Sequence, residues 1–349
     1  MTDDLLLKEY KPRSALVVEE HIPDKARFPV VDFHNHLGYW EYGVQGVPAG
    51  WTVRSVPQTI ELMDEMDIRC VVNLDGGWGD QLKNNLERYK EPYPDRFCVF
   101  AWVDFSQIEE PDFGEKWAKN LEDAVKMGVQ GLKVFKKLGL NYRDRSGKLI
   151  PVDDPRIDPV WAKAGELNIP VLIHSSDPVA FFWPLDQYNE RWDELNEHPD
   201  WHFFGKDYPP FIEPIEAQLR VVGRHPNTTF VSAHVMSYAE NLGYVEEALE
   251  KYPNLFVDIG ERIGELGRQP NSGRRFITKY ADRVLFGTDI PPDKQTYQIY
   301  FRCLETEDDY FDYGRAQGRF RIYGLNLPDN VLKKVYSGNA CRLITGLEL

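Results

Sequence analysis

The stretch Val30-Val31-Asp32-Phe33-His34-Asn35-His36-Leu37-Gly38 reads as a short buried strand that delivers two imidazoles to one place. Side chains alternate faces along a strand, so His34 and His36 project to the same side, with Asp32 one step behind them. That spacing is metal-ligand geometry. An isolated His-x-His is more often a solvated turn, so its meaning rests on the residues downstream.

From Val30 onward, short apolar, β-branched runs alternate with amphipathic helical stretches, the pattern of repeated βα units on a parallel sheet. The strand-like runs fall at 30–34, 70–74, 97–103, 129–135, 170–174, 228–234, 255–259 and 284–289. They fill every strand position of a (β/α)8 TIM barrel. The expected fold is therefore α/β, a distorted (β/α)8 TIM barrel with a long aromatic insertion after strand five. Residues 1–29 form a polar, proline-punctuated leader expected to pack on the barrel, and residues 30–349 form a single domain.

The insertion, about 176–213, carries Phe181, Phe182, Trp183, Tyr188, Trp192, Trp201, Phe203, Phe204 and Tyr208. Aromatics at this density argue against disorder and for a lid over the barrel mouth or a subunit contact, which leaves a homo-oligomer open.

The chain has 349 residues and a formal net charge of −15, which argues against a nucleic-acid partner because phosphate binding needs a basic footprint. A small-molecule substrate is expected instead. Cys70, Cys98, Cys303 and Cys341 are widely separated, without a zinc-finger spacing, and Cys70 and Cys98 read as reduced core residues. No apolar run reaches membrane-spanning length, and the first residues lack the basic region of a signal peptide. A cytoplasmic protein with no membrane partner is the expectation.

Barrel enzymes place reacting groups at the C-terminal ends of their strands. Here His34 and His36 end strand one, Lys133 lies late in strand four, His174 ends strand five, His234 ends strand six and Asp289 ends strand eight. Taken singly, each has a duller reading: a structural histidine, a turn-capping aspartate, a lysine that reaches to the surface. Together they make a borderline donor set that suits zinc, with manganese, cobalt or nickel also compatible. Asp289 could bind the metal and accept a proton, and His234 could be a ligand, an acid/base or an electrophile. Asp32 could orient one of the strand-one histidines. Around them, Tyr39 and Trp40 are placed to line a pocket. Trp78 could stack on a ring or simply pack, and Arg262 and Arg268 after strand seven could anchor a carboxylate.

The motifs Asp32-Phe33-His34-Asn35-His36, Pro170-Val171-Leu172-Ile173-His174, Ser232-Ala233-His234 and Leu285-Phe286-Gly287-Thr288-Asp289 resemble the amidohydrolase superfamily, in particular its amidohydrolase-2 group. The resemblance spans Val30 to about Leu343. It implies a distorted TIM barrel, one or two divalent metals and chemistry by a metal-activated water. His34, His36, His174 and Asp289 would be the ligands of a single ion, with His234 beside them. In two-metal members a carboxylated strand-four lysine bridges the ions, a role Lys133 would fill, although Lys136 and Lys137 follow closely. One ion is favoured, with two left open.

The leading expectation is a metal-dependent hydrolase acting on a C–O or C–N bond (lactone, ester or amide) of a small, polar, carboxylate-bearing substrate. The alternatives are a non-oxidative decarboxylase or hydratase of a carboxylated ring, and a non-catalytic metal-binding barrel.

Overall fold

The computed structural model describes residues 5–6, 9–37, 54–314 and 317–348. Its strands are β1 (Val30–Asn35), β2 (Ile68–Asn73), β3 (Phe97–Ala101), β4 (Gly131–Val134), β5 (Val171–Ile173), β6 (Phe230–Ser232), β7 (Leu255–Asp258) and β8 (Val284–Leu285). They pair in parallel in sequence order. This is the α/β barrel expected from the alternating pattern.

The seam between β8 and β1 is closed by hydrogen bonds from the Phe33 amide to Phe286 O (3.0 Å) and from the Asp289 amide to His34 O (2.7 Å). Glycine is required there. A β-carbon on Gly287 would sit 2.6 Å from the β-carbon of His34. The close approach sets Asp289 beside the two histidines of β1.

Helices cover the sheet where amphipathic runs were expected. Helix Val56–Met66 begins at a capping box formed by Ser55 and Gln58 and buries Leu62, Met63 and Met66. Helix Phe113–Lys126 buries Phe113, Trp117, Leu121 and Ala124 on one face. A separate apolar cluster, including Val31, Phe33, Cys70, Cys98, Phe100, Leu172, Val231 and Leu285, is joined by Ala340, Ile344 and Leu347 of the C-terminal segment. Cys70 and Cys98 are buried, free thiols.

The insertion after β5 is folded. Phe181, Phe182, Leu195 and Phe203 make a small core with Leu140. It is fastened to the barrel through Arg191, a fully buried side chain that pairs with Glu194 at 2.9 Å and with Glu265 beyond β7. The leader meets the barrel at its far end, where the Ala26 amide donates to Met66 O. No helix among the described residues is long and apolar enough to cross a membrane.

Candidate metal centre

Two carboxylates fix the β1 imidazoles. Nδ1 of His34 donates to Asp258 Oδ2 at 2.9 Å, and Nδ1 of His36 donates to Asp75 Oδ1 at 2.6 Å. Each ring therefore turns its Nε2 inward, and both atoms lie against Asp289 Oδ1, at 2.8 and 3.1 Å. Donor atoms of His34, His36 and Asp289 all fall within 4.8 Å of one another. Carboxylate-backed imidazoles with Nε2 turned inward are the usual way a protein presents histidine to a divalent cation.

His234 completes this face. Its ring lies 4.8 Å from that of His34, and its Nε2 is 3.6 Å from Asp289 Oδ2. Nδ1 donates to the Gly260 carbonyl at 2.8 Å, so in the neutral ring Nε2 carries a bare lone pair. That atom is buried and has no hydrogen-bond partner among the described residues. A buried acceptor without a partner calls for a ligand, and the donor set fits a divalent ion.

The backbone is strained at these positions. His234 has φ 62° and ψ 43°, and Val235, Met236 and Ser237 continue in the left-handed region, as does Asp289 at φ 65°. For a β-branched residue such as Val235 this costs of order 1 kcal/mol or more, and such residues gather where side-chain aim matters more than backbone ease.

Electrostatics divide the groups. Burial, with the neighbouring His174, holds His234 well below the ordinary histidine range, so it is neutral. Burial also lowers His174, to about 4. For His36 burial pulls down, but the charge of Asp75 and hydrogen bonds to Asp289 and Asp75 prevail and push it up to about 9. Burial would raise Asp289, but its electrostatic contacts with His34 and His234 and its hydrogen bonds with His34 and His36 prevail and hold the carboxyl well below its usual range. Lys133 is lowered by burial to about 8, and its Nζ stands 3.1 Å from His34 Nε2. Of the three candidate lysines, Lys133 is the one at the histidines, whereas Lys136 pairs with Asp177 at 2.5 Å.

Several expected residues stand elsewhere. His174 packs edge-on to His234, with ring centroids 4.3 Å apart, but its Nε2 faces Asp177 Oδ1 at 3.2 Å, outside the His34–His36–Asp289 cluster. Asp32 does not hold an imidazole; its carboxylate accepts from Thr288 Oγ1 (2.7 Å), Asn35 (2.8 Å) and Tyr297 (3.0 Å), fastening β1 to the chain after β8. Trp78 packs near Trp102 and Trp117 at the edge of an apolar cavity of about 270 Å³ between helices Gly79–Asn85 and Phe113–Lys126. Arg268 is taken by Glu190, with two contacts of 2.6 and 3.0 Å, and lies over Phe320. Tyr39 and Trp40 lie outside the described residues.

Arg262 differs from Arg268. It is 4% exposed, yet no carboxylate among the described residues comes within 4.0 Å; Nη1 donates to the Glu261 carbonyl and Nε has no partner. Its charge is one of those that depress His234.

The sequence profile of the family described as Amidohydrolase matches residues 81–345. The chain belongs to the amidohydrolase family. Among solved structures, this amidohydrolase is similar to 2,6-dihydroxybenzoate decarboxylase from Rhizobium, at 18% identity over 90% of this chain and 98% of that one, with a TM-score of 0.58. A dihydroxybenzoic acid decarboxylase from Polaromonas sp. JS666, with bound manganese and the inhibitor 2-nitroresorcinol, matches at 18% identity over 90% and 96% of the chains (TM-score 0.58). An amidohydrolase from Burkholderia multivorans with bound zinc matches at 13% identity over 90% and 98% (TM-score 0.51). At these identities the likeness carries the fold. No curated protein matches the chain by sequence.

Asp258 and Asp75 escaped the sequence reading. The available signal was a lone carboxylate at the end of a strand or in the loop after it, at Val257-Asp258-Ile259 and Leu74-Asp75-Gly76.

Proposed function

We propose that this amidohydrolase is a metal-dependent lyase that removes carbon dioxide from a small ring compound bearing a carboxylate. The observation that carries the reading is Arg262: a buried guanidinium with no carboxylate within 4.0 Å among the described residues, whose charge acts on a neutral histidine with a bare Nε2. Burying such a cation is costly unless an anion meets it, and a planar carboxylate matches its fork of donors. The fold it shares with dihydroxybenzoate decarboxylases supports the same class of substrate.

His34, His36 and Asp289 would hold the ion, with zinc or manganese suited to the donor set. A divalent cation bound there supplies Lewis-acid charge that stabilises negative charge developing on substrate oxygens. Arg262 orients the substrate by its carboxylate. Decarboxylation needs one proton at the carbon that loses carbon dioxide, and His234 is placed to carry it. Nε2 takes up a proton from solvent, Asp289 stabilises the imidazolium from 3.6 Å away, and that proton passes to the ring carbon, bonding through the electron pair of the carbon–carbon bond as the carboxylate leaves as carbon dioxide. The Gly260 carbonyl accepts from Nδ1–H in both protonation states and fixes the direction in which Nε2 points.

A second reading, hydrolysis of a lactone, ester or amide, is favoured by the same bare Nε2, since a neutral base beside a metal site is also placed to take a proton from water. Arg262→Ala separates substrate anchoring from the chemistry: it should lower kcat/KM by about 10²-fold, mostly through KM, with Arg262→Lys recovering part of the loss. An unchanged KM would remove Arg262 from the site.

A further inference from the structure

Residues 11–20, Lys-Pro-Arg-Ser-Ala-Leu-Val-Val-Glu-Glu, form an arm that lies in no helix or sheet. Val17 is 100% exposed and Leu16 61%. The arm's backbone makes no hydrogen bond to another described segment; within it, the Leu16 amide donates to Ser14 Oγ at 3.1 Å. Its root is fixed, because the His21 amide donates to Asp308 Oδ2 at 2.7 Å and His21 Nδ1 meets Asp308 Oδ1 at 2.6 Å. An exposed segment with a β-prone Leu16-Val17-Val18 centre, its backbone bonded to no other described segment, is a template for pairing with another strand.

The charge pattern selects the partner. Lys11 and Arg13 make one end basic, and Glu19 and Glu20 make the other acidic. Turned antiparallel on itself, the segment sets its basic end against its acidic end.

We infer that two copies of this chain associate by antiparallel pairing of this arm about a two-fold axis through Leu16. In that register Leu16 faces Leu16, Ala15 faces Val17 and Ser14 faces Val18. Arg13 faces Glu19 twice, once on each side of the axis. Pairs directly opposite bring their β-carbons to about 4.5–5.5 Å, close enough for each contact to form. The Ser14–Leu16 turn opens to release the Leu16 amide to the ladder. Pro12, without an amide hydrogen, ends the pairing at one side, and the His21 anchor ends it at the other. A two-fold contact of this kind is self-complementary and closed, so it stops at the dimer.

Sedimentation velocity of the full chain over a concentration series tests the pairing. Arg13→Glu should raise the dimer dissociation constant by about tenfold or more, since two attractive contacts become repulsive, and Arg13→Glu with Glu19→Arg should return it to within about twofold of the parent. Val17→Asp should abolish association. For the register, Leu16→Cys in a Cys341→Ser background should cross-link to a covalent dimer under an added thiol oxidant at least tenfold faster than Val17→Cys in the same background. A monomer at every concentration, or a dimer indifferent to Arg13→Glu and Val17→Asp, would overturn the arm pairing. Equal cross-linking at the two positions would overturn the register.

Discussion

His34 and His36 show how a site can be half legible. Their spacing and their place at a strand end could be read directly, because the period of a strand and the polarity of a barrel are both local rules. Their partners could not. Asp258 lies 224 residues from His34 and Asp75 lies 39 from His36, so only the closed barrel brings each pair together. The same holds for the arginines after β7: Glu190, which occupies Arg268, is 78 residues away, and nothing local distinguishes Arg268 from Arg262, which meets no carboxylate within 4.0 Å among the described residues. At this scale Asp258 is the decisive support. Asp258→Asn keeps the shape but loses the charge that holds the His34 ring and accepts from the His234 amide at 3.1 Å. Metal affinity should fall about 10–100-fold with little change in melting temperature, measured by competition with a chromogenic chelator. Unaltered affinity would show that His34 needs no such orientation.

Among elements, strand existence was readable and strand ends were not. The sixth and eighth strands were expected to run to 234 and 289, yet β6 stops at Ser232 and β8 at Leu285. At β6 the left-handed backbone of His234 takes that residue out of the ladder; after β8 the Phe286 amide turns to Val335 O, and beyond Phe286 the backbone meets that of β1 again where the Thr288 and Asp289 amides share His34 O. The insertion after β5 was legible as a folded unit from its aromatics, but its clamp was not, since Arg191 and Glu265 are distant in sequence. Near that clamp, Glu240 accepts the Val179 amide at 3.1 Å through Oε1, while its Oε2 is buried without a hydrogen-bond partner among the described residues. Burial first, then the charge of Glu265, raises Glu240 from 4.5 to about 7. The folded protein thus binds this proton more tightly than the unfolded chain does. Stability from this group is full below about pH 4.5 and is lost as the pH rises through about 7. Glu240→Gln, which keeps the carbonyl acceptor for Val179, should flatten the fall in melting temperature between pH 5 and 8 relative to the parent. An identical slope in both proteins would mean that Glu240 ionises as it does in water.

The whole molecule imposes a field as well as a shape. With a formal charge of −15, it repels the anionic substrate proposed for it, while Arg262 attracts that anion only at short range. Added salt screens the long-range repulsion more than the buried contact. For a carboxylate substrate, kcat/KM should therefore rise a few-fold between about 10 mM and 150 mM salt, and a neutral ester analogue should show no such rise. The barrel itself was legible because eight βα units leave a repeating imprint on the sequence, whereas the reaction was not, since the same constellation serves hydrolysis and decarboxylation alike.

The most direct test uses the metal-loaded protein with hydroxylated ring acids labelled with ¹³C at the carboxyl carbon, run in D₂O. The account predicts one labelled carbon dioxide released per ring, deuterium at the vacated carbon, and loss of both in Asp289→Ala. A product that keeps its labelled carboxyl and gains the elements of water, or unchanged turnover in Asp289→Ala, would contradict it.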